Sequence, residues 1–141
     1  MTDARGSVYN FSSVAVPGLQ PGYDRPDPVV AIAAAPDGPG CWLLQRDGKV
    51  FAAPASLFLA ESPARNGWTA VDIAPTPSGQ GYWALTSDFG VFSFGDAQFQ
   101  GSAAGVGRGP AAAIVAEPEG DGYWQVTTDG AVYGFGAPSF L

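Results

Sequence analysis

The chain has 141 residues, of which 46% are hydrophobic, 13% aromatic and only 13% charged, a balance that fits one packed domain and excludes intrinsic disorder. Six bases against thirteen acids give a net charge of -7, which repels phosphate backbones, so nucleic acid is not an expected partner. With no histidine and a single cysteine, Cys41, the usual zinc sets, a Ser-His-Asp triad and an intramolecular disulfide are all unavailable, and neither metal nor cofactor is expected.

Twenty glycines and thirteen prolines break the chain too often for long helices, while the abundant Trp, Phe, Tyr and Val favour strands; the expected class is all-β. The string P-x-G-x-G-x-W occurs as Pro36 to Trp42, Pro77 to Trp83 and Pro118 to Trp124, with the tryptophans 41 residues apart. In chain order, residues 6–19 read as a partial repeat. Within it Val8-Tyr9-Asn10-Phe11 matches Val91-Phe92-Ser93-Phe94, and Val16 takes the late aromatic position. Residues 28–61, 69–102 and 110–141 are three full repeats of one domain.

Each full repeat predicts four strands. The first carries an isoleucine (Ile32, Ile73, Ile114) and the second the tryptophan; the third starts at Val50, Val91 or Val132, and the fourth surrounds Phe58, Phe99 or Phe140. Turns separate them: the Pro/Gly string after the first strand, and Asp47-Gly48, Asp88-Phe89-Gly90 or Asp129-Gly130 after the second. The recurring aspartates read as hairpin residues that bond their own turn backbone, because one per repeat is too sparse for a calcium loop.

Period-two alternation puts Trp83 and Leu85 on one face of the second strand, and Phe92 and Phe94 opposite Val91 and Ser93 on the third, so one face is expected to be bulky and the other small. A sheet that nests its large face on a neighbour's small face is a β-propeller blade. A β-trefoil is the alternative. The segment Gly79-Gln80-Gly81-Tyr82-Trp83-Ala84-Leu85-Thr86-Ser87-Asp88-Phe89-Gly90-Val91-Phe92-Ser93-Phe94-Gly95-Asp96-Ala97-Gln98-Phe99-Gln100-Gly101-Ser102 resembles the propeller-like repeats of many actinobacterial proteins. That resemblance runs along nearly the whole chain, is worn in the first repeat, and implies the fold without implying a function.

Propellers close with four to eight blades, so three and a half repeats are expected to need a homo-oligomer, with a dimer favoured. No run of 18 apolar residues and no basic-then-apolar leader is read in the sequence, so neither membrane insertion nor a Sec signal is expected, and the compartment is left open.

Positions that break the repeat point to function better than those that obey it. Asp72 stands where the other repeats have Ala31 and Ala113; on an innermost strand it would face a central channel, and it is the candidate catalytic carboxylate. Trp68 and Arg108 decorate the loops entering the first strands and pair an aromatic with a cation. Tyr82 and Tyr123, beside the Pro/Gly turn, are expected to offer hydroxyls to solvent, whereas Trp42, Trp83 and Trp124 read as core and Cys41 as buried filler. Ligand binding is therefore assigned to Trp68, Asp72, Tyr82, Arg108 and Tyr123. Three functions follow: carbohydrate or small-ligand binding by a lectin-like oligomeric propeller, a structural or interaction module of a larger bacterial or phage assembly, and a small acid-base enzyme using channel carboxylates.

Overall fold

The structure, a computed structural model, describes residues 28–36, 38, 40–53, 69–107, 109–119 and 122–136. Over these residues it is all-β, with no helix, and consists of nine strands in three antiparallel sheets. Sheet 1 is β1 (Val29–Ala34), β2 (Cys41–Gln45) and β3 (Val50–Ala53); sheet 2 is β4 (Ala70–Pro75), β5 (Gly81–Thr86) and β6 (Val91–Gly95); sheet 3 is β7 (Ala111–Ala116), β8 (Tyr123–Thr127) and β9 (Val132–Phe135). Each is a meander in chain order, as expected where short turns join antiparallel neighbours.

The first three strands of each repeat stand where the sequence puts them. In the second repeat the fourth does not. The chain after Gly95 turns and runs on without pairing, leaving Phe99 60% exposed. Its counterparts around Phe58 and Phe140, and the partial repeat at residues 6–19, lie outside the described residues.

Strand register also corrects the expected faces. Trp83 lies opposite Ser93 and Leu85 opposite Val91, whereas Tyr82 faces Phe94 and Ala84 faces Phe92. Directly opposed residues point to the same side, so Phe92 and Phe94 share a face with Tyr82 and not with Trp83. Neither face is small. Each sheet has a tryptophan face and a tyrosine/phenylalanine face, and both need cover.

The sheets cover one another in sequence order. Trp42, Leu44 and Val50 of sheet 1 pack on Ile73, Tyr82 and Phe94 of sheet 2, and Trp83, Leu85 and Val91 of sheet 2 pack on Ile114, Tyr123 and Phe135 of sheet 3. The aromatic contacts repeat as well: Trp42 to Tyr82 at 5.7 Å between centroids and Trp83 to Tyr123 at 5.2 Å, both tilted by 54°. Burial of each such side chain contributes roughly 1.5–3 kcal/mol. β4 runs between β1 and β7, so the first strands lie side by side. Backbone bonds tie them to the preceding hairpins: the Ala70 N–H donates to the Arg46 carbonyl at 2.9 Å and the Ala111 N–H to the Ser87 carbonyl at 3.1 Å.

Gly81, the second glycine of the repeated string, is required by close approach. A Cβ there would lie 2.5 Å from the Phe94 carbonyl and from Asp96 Oδ1. Asp96 accepts from Thr76 Oγ1 at 2.7 Å and from the Ser78 hydroxyl, fastening the first turn of the sheet to the end of β6. Gly81→Ala is expected to lower unfolding free energy by about 1–3 kcal/mol in urea titration; an unchanged midpoint would show that this crossing carries no constraint.

Candidate functional site

Asp72 is the sharpest departure from the repeat, and the structure places it in the seam between β4 and β7. It lies opposite Leu85, on the tryptophan face of sheet 2. Its Oδ1 accepts the Ile73 N–H at 2.9 Å and its Oδ2 accepts the Ile114 N–H at 2.9 Å. Ile73 and Ile114 are equivalent positions of adjacent repeats, so one carboxylate bridges the same N–H group in two neighbouring sheets. Ala31 and Ala113 cannot do this. Burial raises the Asp72 pKa above its ordinary value, and the bonds from Ile114 and Ile73 act in the opposite direction. The expected free channel carboxylate is thus a clamp between sheets, because its oxygens point at backbone donors of this same chain.

Tyr82 and Tyr123 are also not where the sequence reading put them. Both are fully buried between sheets. The Tyr123 hydroxyl donates to the Gly101 carbonyl at 2.5 Å and accepts the Gln100 N–H at 3.1 Å, anchoring sheet 3 to the segment that follows β6. Burial raises its pKa, against the two backbone bonds from Gln100 and Gly101. The hydroxyl expected at solvent is spent on an inter-sheet bond because the preceding sheet's tryptophan face closes over the ring. Trp68 and Arg108 lie outside the described residues; of the other three assigned positions, Asp72 and Tyr123 lie at the junction of sheets 2 and 3 and Tyr82 at that of sheets 1 and 2. Cys41 is buried, and Trp42 and Trp83 are core; Trp124 is only partly buried.

Two residues that matter at this seam were not singled out in the sequence. Gln125 replaces Ala84 and Leu43; fully buried, its Oε1 accepts the Ala103 N–H at 2.7 Å and its Nε2 donates to the Phe89 carbonyl at 3.3 Å. Phe89 occupies the left-handed hairpin position held by Gly48 and Gly130, with φ of 70°. A non-glycine residue there costs about 1–2 kcal/mol, offset by burial of the ring in the core between sheets 2 and 3, where it lies against Gly107. The signal was present: both break their own repeat.

The hairpin aspartates behave as turn residues. Asp47 accepts the Lys49 N–H at 3.1 Å, Asp88 the Gly90 N–H at 3.2 Å and the Thr86 hydroxyl at 2.5 Å, and Asp129 the Ala131 N–H and the Thr127 hydroxyl. The Thr127 bond, then the Ala131 N–H, hold the Asp129 pKa below its ordinary value. Among the described residues no group of three His, Cys, Asp or Glu side chains is placed to hold a metal ion, and no helix is long and apolar enough to cross a membrane.

What distinguishes the two ends of the stack is exposure. Ile73 and Ile114 are 4% and 3% exposed, but their equivalent Ile32 on sheet 1 is 44% exposed, beside Val30 at 39%. On the other end Val115 is 49% exposed, whereas its equivalents Ala33 and Ala74 are buried. Apolar positions that are sealed inside the stack stand open at its two ends. No protein-family model matches the chain, and no curated protein matches it as a relative.

Two predictions follow from the polar seam. Because folding raises the Asp72 pKa, its contribution to stability is fully present below the unfolded carboxylate value of about 3.9 and is lost as pH rises through the folded value. Asp129 works in the opposite sense, its contribution being lost below that range as pH falls through its lowered value. Asp72→Asn should therefore flatten the decline in stability between pH 4 and neutrality, read by urea unfolding at each pH; an unaltered slope would refute the assignment. Gln125→Ala should cost about 1–3 kcal/mol by leaving the Ala103 N–H and Phe89 carbonyl unpaired, and Gln125→Glu, which keeps the acceptor toward Ala103, should not restore the bond to Phe89.

Proposed function

We propose that this chain is a β-propeller-type repeat module of the kind it resembles, and that it works as an assembly and interaction element whose end sheets are its binding surfaces. The observation that carries this reading is the contrast between Ile32 and its buried equivalents Ile73 and Ile114. Inside the stack that position is where one sheet receives the next; at the end it is an apolar surface waiting for the same kind of cover. The sequential stacking of both sheet faces, with first strands side by side, supports blades over a trefoil.

The carbohydrate reading draws less support. Tyr82 and Tyr123 are occupied between sheets, so a sugar site would rest on Trp68 and Arg108. Acid-base catalysis by Asp72 would require a carboxylate oxygen directed at substrate, and each oxygen is already held by a backbone donor.

A tandem fusion of two copies through a flexible linker tests the module reading. Covering the open end of one copy with the other is expected to raise unfolding free energy by about 3 kcal/mol over the single chain in dilute solution. A tandem no more stable than its halves, with Ile32 still open to solvent labelling, would overturn it. A glycan array is expected to be flat; a sugar hit abolished by Trp68→Ala or Arg108→Ala would return the function to carbohydrate binding.

A further inference from the structure

We infer that the partner of these end surfaces is a second copy of this chain, docked head to tail, with β7 of one copy beside β1 of the other. The inference rests on the module reading above and adds the identity and polarity of the partner. Among the described residues two contacts of one kind exist: the tryptophan face of sheet 1 on the tyrosine face of sheet 2, and that of sheet 2 on sheet 3. On the inner strands, the surfaces left open at Ile32 and Val115 are the two halves of a third such contact. Val115, and Ala113 beside it on the same face of β7, belong to the tryptophan side, since they lie opposite Trp124 and Val126. Ile32 lies opposite Leu43, on the side equivalent to that of Ile73 and Ile114. A second copy therefore supplies, along each open inner strand, the surface that this fold already packs there twice.

The polarity is fixed by the backbone. The bonds from Ala70 to Arg46 and from Ala111 to Ser87 join equivalent positions in successive repeats. Their next repetition runs from the Val29 N–H of one copy to the Thr128 carbonyl of the other. Docking is confined to the inner strands, because Cys41, Leu43 and Gln45 on β2 are already buried, leaving Ile32 and Ala34 of β1 as the open surface. These residues and Ala113 and Val115 carry no charge, so the net charge of -7 on each copy acts only at longer range. Association should tighten as salt screens that repulsion. Two head-to-tail contacts between two copies close a ring of six sheets, within the range in which blades close.

The test is the mass of the full chain by light scattering across a concentration and salt series. The wild-type chain is expected at twice 14.4 kDa. Ile32→Glu and Val115→Glu, which alter only open positions, should each be folded by circular dichroism and monomeric alone, yet form a pair when mixed, because one intact contact remains between them. If either variant alone still dimerises, the contact is face to like face and the polarity is wrong. Ala113→Asp places a carboxylate where Asp72 stands, in reach of the partner's Ile32 N–H, and should tighten the dimer about tenfold. A wild-type chain that stays at 14.4 kDa overturns the inference. Masses beyond two copies overturn the closed pair. If the tandem fusion is stabilised while the single chain remains monomeric, association of separate copies is overturned and the module reading stands; if neither occurs, both fall.

Discussion

Every sheet among the described residues is apolar on both faces, and that constraint organises everything else. A three-stranded meander with Trp83 and Leu85 on one side and Tyr82 and Phe94 on the other has no side to give to water. Such a sheet is stabilised by its neighbours, so stability resides in the contacts between units more than within any of them. The 41-residue repeat is the sequence expression of that requirement: each unit presents to its successor the surface it receives from its predecessor.

Much of the fold was legible in the sequence because the repeat superimposes three copies of the same instruction. The boundaries of the first three strands, the hairpin role of Asp47, Asp88 and Asp129, and the core positions of Trp42 and Trp83 all follow from residue type and spacing. Face assignment failed at the third strand. Alternation along a strand says which residues alternate, but only the cross-strand register says that Phe94 sides with Tyr82. The fourth strand of the second repeat failed for another reason. Phe99 has a strand-like sequence around it, yet the chain after Gly95 bonds by isolated contacts, such as the Gln98 carbonyl to the Trp83 indole at 2.8 Å, and makes no ladder.

The candidate site was legible as a position and not as a role. Asp72 was conspicuous because alanine stands there in the other repeats, but a sequence cannot show that its oxygens meet two backbone N–H groups instead of solvent. Tyr123 misled in the same way: a tyrosine beside a turn looks accessible until a neighbouring sheet covers it. Gln125 and Phe89 broke the pattern as plainly as Asp72, and reading every departure on equal terms would have drawn attention to all three.

Those departures cluster at one place, the junction of sheets 2 and 3, while the junction of sheets 1 and 2 is lined chiefly by the repeated apolar set. Near-identical units in one chain run a particular danger during folding, since any of them can be mistaken for another and stack in the wrong order. A polar bridge from Asp72 to the Ile114 N–H, and an amide that meets Ala103 and Phe89, make this junction unlike that of sheets 1 and 2. The irregularities thus act as a key to sequence order, letting a chain written in repeats assemble along a single itinerary.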